Sequence, residues 1–262
     1  MALNSQLSTF NRPCPPIRII AETADWLVVD KPPHLDAHPT KPDGRFTLWD
    51  ALRELLAYEI ANGGQVSLIS RLDRETSGLT LIATHRASAR ALHMEMELRA
   101  FEKEYLALVW GWPDAEEFVV DGPILRKGER EVSRIYLKRM VHPDGQEAVT
   151  NFRLEKRFTD REGGRFSLIR AEPQTGRTHQ IRVHLAHAGL PIVGDKLYGP
   201  SESNYLEFID TGWTAALAAR LLLPRHALHA TALRLPARQL SWESALAADL
   251  ALWIGENLLA AR

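Results

Sequence analysis

Pro173-Gln174-Thr175-Gly176-Arg177-Thr178-His179-Gln180-Ile181-Arg182-Val183-His184-Leu185-Ala186-His187-Ala188-Gly189 reads as a strand end, a glycine turn, a helix of about two and a half turns, and a glycine that stops it. Upstream, Arg134–Leu137, Ala148–Leu154 and Phe166–Ala171 are strand candidates, separated by glycine, aspartate and charged clusters that suit turns. No helical pattern lies between them. A doubly wound parallel sheet needs regularly placed crossover helices, so this spacing instead predicts an α+β fold with a mixed, mainly antiparallel sheet flanked by helices.

The rest of the chain extends that reading. Ile19-Ile20 and Trp26–Val29 are β-rich, and Asp30-Lys31-Pro32-Pro33 stops the second run, which predicts a first strand or hairpin. Thr47 to Asp50 resembles a capping box, with Leu48, Leu52, Leu55 and Leu56 on one face of a helix over 48–61 that Asn62-Gly63-Gly64 ends. Leu79–Ala83 fits a buried strand. Ala91, Met94, Leu98 and Phe101 mark the core face of a following helix, and Tyr105–Trp110 is the next strand. Helices are expected over Ala215–Leu223 and Ser241–Leu259, and no internal repeat is visible. Residues 1–16 read as an irregular, proline-rich arm and 17–262 as one folded domain.

Composition excludes several classes. With 262 residues and 45% apolar content, disorder cannot be the dominant state. No apolar run of about 18 residues and no basic-then-apolar N-terminus occur, so a cytoplasmic protein is expected, without a membrane span. The single cysteine, Cys14, allows neither an internal disulfide nor a thiolate metal cluster and is expected to be a free surface thiol. Thirty-two Lys and Arg against thirty-three Asp and Glu give a formal charge of −1, not the overall basic balance of many nucleic-acid binders. Phosphate contacts act locally, however, and basic clusters occur in 126–138 and 177–187.

The chemistry-bearing candidate is Asp73 in Ser70-Arg71-Leu72-Asp73-Arg74-Glu75-Thr76-Ser77-Gly78. Arginines on both sides keep the carboxyl ionised, which suits a nucleophile or an electrostatic stabiliser. By itself such a cluster is a common solvated ion-pair loop. His179, His184 and His187 invite a metal reading, but no His-Glu-x-x-His or comparable spacing completes it, and beside Arg177 and Arg182 they suit phosphate contact; no metal is expected. Gly194-Asp195 reads as a turn.

The 70–78 string resembles the His-Arg-Leu-Asp-Arg-Asp-Thr-Ser-Gly motif of the RluA-type RNA pseudouridine synthases, with Ser70 in place of histidine and Glu75 in place of aspartate. Phe101–Gly111 is similar to the family's Lys-x-Tyr element, and 173–189 with Pro191–Gly199 to its longest motif; Arg225–Ala230 resembles a strand beside the family's cleft. This resemblance, from about Ile17 to about Leu235, implies isomerisation of uridine to pseudouridine in structured ribosomal or transfer RNA. It implies Asp73 as the catalytic carboxylate, Tyr105 as the residue that stacks on the base, Arg182 as the partner of Asp73, and Leu185 as an aliphatic pocket residue. Arg71, Arg74, Arg177, His179 and Gln180 are implied as substrate contacts, Arg71 filling the place of a flipped nucleotide. No cofactor is implied, and a monomer acting on an RNA stem-loop is expected. Some members carry an N-terminal RNA-binding module, for which the 16 residues before the first strand are too few. Two rival readings remain at this stage: a glycosidase-like hydrolase using Asp73 with Glu75, and a catalytically silent RNA-binding protein on the same scaffold.

Overall fold

The computed structural model describes residues 16–39 and 44–261; the arm at 1–15 and Cys14 lie outside the described residues. In chain order the elements are β1 (Arg18–Glu22), β2 (Trp26–Lys31), α1 (Leu48–Leu55), α2 (Ala57–Ala61), β3 (Ser67–Leu68), β4 (Ser77–Ala83), α3 (Arg86–Glu97) and β5 (Glu102–Trp110). Then come β6 (Glu117–Asp121), β7 (Ile124–Arg126), β8 (Arg139–Val141), β9 (Val149–Thr159), β10 (Arg165–Pro173) and α4 (Gln180–His187). The chain closes with α5 (Ser203–Thr211), α6 (Ala215–Leu221), β11 (Leu228–Leu235), β12 (Leu240–Glu243), α7 (Ala248–Asn257) and β13 (Leu259–Ala260).

One sheet runs β1-β2-β4-β11-β5-β10-β9-β13, with β3, β12 and β6 added beside β4, β11 and β9. Its β4–β11 pair is parallel and its other pairs are antiparallel, the mixed, mainly antiparallel sheet expected. Alternation along β2 and β4 explains why helices cover both faces. Leu27, Val29 and Ile82 pack against Leu48 and Leu52 of α1, whereas Val28, Leu79, Leu81 and Ala83 pack against Ala89 and Leu92 of α3. Burying a side chain such as Leu52 contributes roughly 1.5–3 kcal/mol. The capping box forms as read: Thr47 Oγ1 accepts from the Asp50 amide (3.3 Å) and Asp50 Oδ2 from the Thr47 amide (3.0 Å).

Gly78 decides where the site sits. At φ +114°, a Cβ there would lie 2.2 Å from the Ala230 carbonyl oxygen, so only glycine lets β4 enter the sheet alongside β11. Ala230 pairs with Gly78 on one side and with Tyr105 on the other, and Tyr105 pairs in turn with Ala171 of β10. The loop before β4, the start of β5 and the β10–α4 turn therefore converge at one end of adjacent strands.

Several expectations need correction. The 48–61 helix breaks at Leu56, giving α1 and α2. Met94 and Leu98 are exposed; α3 buries Ala89 and Leu92, one step round the helix, because Leu92 meets the sheet underneath. Arg134–Leu137 is a turn, and the strand begins two residues later at Arg139, where it pairs with β7. Ser241–Leu259 is not one helix: Trp242 belongs to β12 and packs edge-on to Trp26, 4.9 Å between centroids, so tertiary pairing overrides local propensity.

Candidate active site

Asp73 stands in the irregular loop between β3 and β4, with its carbonyl capped by the Thr76 amide at 3.1 Å. From α4, Arg182 sends Nη1 to Asp73 Oδ2 at 2.8 Å. The same guanidinium donates Nε to Asp195 Oδ2 (2.7 Å) and Nη2 to Asp195 Oδ1 (3.0 Å). Asp195 is fully buried, and its Oδ1 also accepts the amides of Leu197 and Tyr198 at 2.9 and 3.0 Å. Its turn reading is correct, but it does more than turn the chain, since it fixes the arginine that meets Asp73. At Gly194, φ +77°, a Cβ would meet the Arg225 carbonyl oxygen at 2.0 Å, so glycine is required for this turn to close onto Arg225.

His179 completes the surround. It precedes α4 in left-handed backbone, φ +60°, and its Nε2 lies 3.9 Å from Asp73 Oδ2. Tyr198 Oη accepts the Arg139 amide (3.1 Å) and lies 2.8 Å from His179 Nδ1, a hydrogen bond that fixes the ring with Nε2 facing Asp73. Burial and repulsion from Arg182 push the His179 pKa down to about 4, so the ring is neutral at pH 7. Burial would raise the Asp73 carboxyl, but attraction to His179 and Arg182 outweighs it and holds the group below the usual carboxylate range. With the imidazole neutral, the guanidinium carries that attraction. Tyr105 is raised to about 12, first by burial and then by Asp73, so its phenol keeps its proton at neutral pH.

These groups open into a cleft of about 660 Å³ lined by Arg71, Asp73, Arg74, Tyr105, Arg177, His179, Gln180 and Arg182, within the size range of small-ligand sites. Arg71 is exposed, and among the described residues it has no ion pair. Arg74 lies 3.8 Å from Asp36, and Arg177 Nε donates to the Glu147 carbonyl at 3.0 Å. Gln180 is held inward: its amide donates to Val149 O and Thr150 Oγ1 (both 2.9 Å), and its Oε1 accepts from Thr175 Oγ1 and the Arg177 amide. It shapes the turn rather than offering a free group. Leu185 faces away, fully buried in the core formed with Val109, Phe166 and Ile169; Leu68, Ile69, Leu72, Ile181 and Leu228 are aliphatic residues that line the cleft. The metal reading of His184 fails on geometry, because Thr150 Oγ1 and the Gly122 carbonyl each hold one of its nitrogens at 2.9 Å.

A buried polar network beneath the loop escaped sequence reasoning. Glu75 accepts from Lys196 Nζ (2.8 Å) and lies 3.4 Å from His226 Nδ1; these contacts hold its carboxyl well below its ordinary range despite burial. Arg225 forks onto Asp249 at 2.7 and 2.8 Å and donates to the Glu75 carbonyl. Lys31 Nζ donates to the Pro32, Leu35 and Arg74 carbonyls at 2.9, 3.0 and 3.3 Å, and burial pulls its pKa down to about 7. Asp195 carried no signal of this role in the sequence; the need for it appears only with the burial of Arg182, whose guanidinium requires more counter-charge than the partly exposed Asp73 supplies.

A carboxylate fixed by a doubly paired arginine, sharing a cleft with a half-buried tyrosine at the centre of a mixed sheet, defines a class of site, and the comparisons agree with it. Residues 25–187 match the family described as RNA pseudouridylate synthase, and the chain belongs to that family. An uncharacterized RNA pseudouridine synthase of Chloroflexus aurantiacus is 43% identical over 178 residues, covering 67% of this chain and 52% of the relative. The ribosomal large subunit pseudouridine synthase C of Buchnera aphidicola is 35% identical over 205 residues, covering 78% of this chain and 59% of that protein. The chain thus spans between half and three fifths of the length of these two relatives. The structure of human RNA Pseudouridylate Synthase Domain Containing 1 superposes with a TM-score of 0.69 at 23% identity, covering 95% of this chain and 91% of that one, which shows the shared fold. Among the described residues no helix is long and apolar enough to cross a membrane.

Proposed function

We propose that this protein is an RNA pseudouridine synthase acting on a uridine in structured RNA, with large-subunit ribosomal RNA the substrate suggested by the printed names of its relatives and transfer RNA the alternative. The observation that carries it is the Arg182-held Asp73 carboxylate in one cleft with Tyr105. The uridine flips into the cleft and stacks on Tyr105, while Arg71 occupies the vacated position and Arg74 and Arg177 meet phosphates. Asp73 then promotes breakage of the bond between N1 of uracil and C1′ of ribose. The freed base rotates, C5 bonds to C1′, the C5 proton leaves, and N1 ends protonated, so product and substrate are isomers.

Arg182 stabilises the charge that stays on or near Asp73, and a pre-fixed dipole costs no reorganisation when charge shifts. No cofactor is called for, because one glycosidic bond replaces another. Residues 17–262 act as one catalytic unit, working as a monomer in the cytoplasm. A hydrolase would need Glu75 or another acid to protonate a leaving group. Glu75 is engaged by Lys196 and His226 instead, which favours the isomerase reading over that rival.

Pseudouridine mapping of total RNA from a deletion strain and its parent tests this reading. At least one site is expected to vanish on deletion, to return with the wild-type gene and not with Asp73→Asn. Identical maps would overturn the activity; rescue by the Asn variant would overturn the role of Asp73.

A further inference from the structure

A second hollow of about 360 Å³ adjoins the cleft, and its lining includes Trp49, Ser67, His38, Leu68, Arg71 and His93. His38, Leu68, Arg71 and His93 line both spaces, so the two are continuous past Arg71. No carboxylate lines it. Its position is set by separate elements, since Trp49 comes from α1, Ser67 from β3 and His93 from α3.

The chemistry is that of nucleotide recognition. Arg53, outside the hollow, lies over the Trp49 ring at 4.6 Å, and the His38 ring packs tilted against the same indole at 5.4 Å between centroids, which makes Trp49 a polarised aromatic wall with His38 beside it. Ser67 Oγ already accepts from Gln65 Nε2 at 2.7 Å, so its hydroxyl proton is free to donate. His38 donates Nδ1–H to the Pro39 carbonyl at 3.1 Å, which leaves Nε2 as the ring nitrogen available to a ligand. A hydroxyl donor and a ring nitrogen beside an aromatic face match the polar edge of an unpaired base. The exposed His93 stands beside Arg71 where the hollow meets the cleft, placed for the phosphate between two nucleotides.

We propose that this hollow is a subsite for a single unpaired nucleotide flanking the flipped uridine, its base stacked on Trp49 and its edge read by Ser67 and His38. The inference rests on the RNA-modifying reading of the cleft. It assigns to the catalytic domain a direct grip on a neighbouring nucleotide, through a residue type whose loss weakens single-strand binding by roughly tenfold or more per base.

The test uses the purified full chain and an oligoribonucleotide hairpin spanning the uridine identified by mapping, alongside hairpins with an abasic residue at each flanking position. For the wild-type protein, one abasic position is expected to raise KM about tenfold while the single-turnover rate at saturation stays within about threefold. Trp49→Ala should reproduce that rise on the intact hairpin and show no further loss on the abasic one; Trp49→Phe should restore most of the affinity. His93→Ala, at an exposed position, guards against misfolding and should raise KM several-fold by itself. If Trp49→Ala and His93→Ala leave KM within twofold, or Trp49→Ala and the abasic substitution act additively, the subsite is wrong although the enzyme remains active. A wild-type protein that forms no pseudouridine overturns the activity reading and this inference together.

Discussion

Asp195 grips Arg182 with both carboxylate oxygens, at 2.7 and 3.0 Å, which leaves Nη1 as the guanidinium nitrogen that meets Asp73. The aim of the arginine is therefore set from behind. It is fixed before any substrate arrives, because Asp195 is fully buried and is itself tied to the Leu197 and Tyr198 amides.

Asp195→Asn should remove that aim. The variant keeps size but loses charge opposite a buried guanidinium, so a stability loss of about 3–5 kcal/mol is expected by urea denaturation. Where the variant still folds, the single-turnover rate should fall about a hundredfold with less change in KM, since the lost interaction matters most as charge moves.

Tyr105→Phe separates stacking from proton handling. The phenol, held protonated by burial and by Asp73, can donate or relay a proton, whereas phenylalanine only stacks. The rate of pseudouridine formation should fall about a hundredfold with KM within threefold, in line with the loss of one proton-transfer group. A rate within threefold of wild type would restrict Tyr105 to stacking.

Glu75→Gln distinguishes the isomerase from a hydrolase. Loss of its contacts to Lys196 and His226 should destabilise the fold by about 2–4 kcal/mol, read by denaturant midpoint. At a temperature where the variant is folded, activity should drop less than tenfold. A loss of more than a thousandfold with intact structure would make Glu75 a reacting acid.

Acid should weaken the protein through His179. Its folded pKa of about 4 lies below its ordinary 6.5, so the unfolded chain binds the extra proton first as pH falls. The contribution is complete above pH 6.5 and is lost progressively towards pH 4. Urea midpoints measured from pH 7 to 4.5 should fall for both proteins, because His34, His184, His226 and His229 are depressed as well, and should fall further for the wild type than for His179→Gln by an amount equivalent to about 2–3 kcal/mol. Parallel curves for the two proteins would show that His179 does not titrate in that window.

Much of this molecule was legible in its residues. β-rich and short apolar runs located β2, β4, β5, β9 and β10, the Thr47–Asp50 spacing marked the start of α1, and Gly189 marked the end of α4. The lack of helices between the middle strands decided the α+β class, and three ordered motifs pointed to the family. Those features are local, because strand propensity, capping and turn chemistry act over a few residues, and a motif is a string. What lay beyond the sequence was decided by contacts between distant segments. Trp242 became part of a strand because β11 and Trp26 were there to receive it, and Leu185 turned to the core because α4 packs on β9 and β10. Asp73 presented itself in the sequence between two neighbouring arginines. The motif resemblance already implied Arg182, 109 positions away, as its partner; what only the fold supplies is Asp195, which holds Arg182 in place. Desolvation explains the difference: exposed neighbours are screened by water, whereas buried charges must find partners wherever the fold brings them.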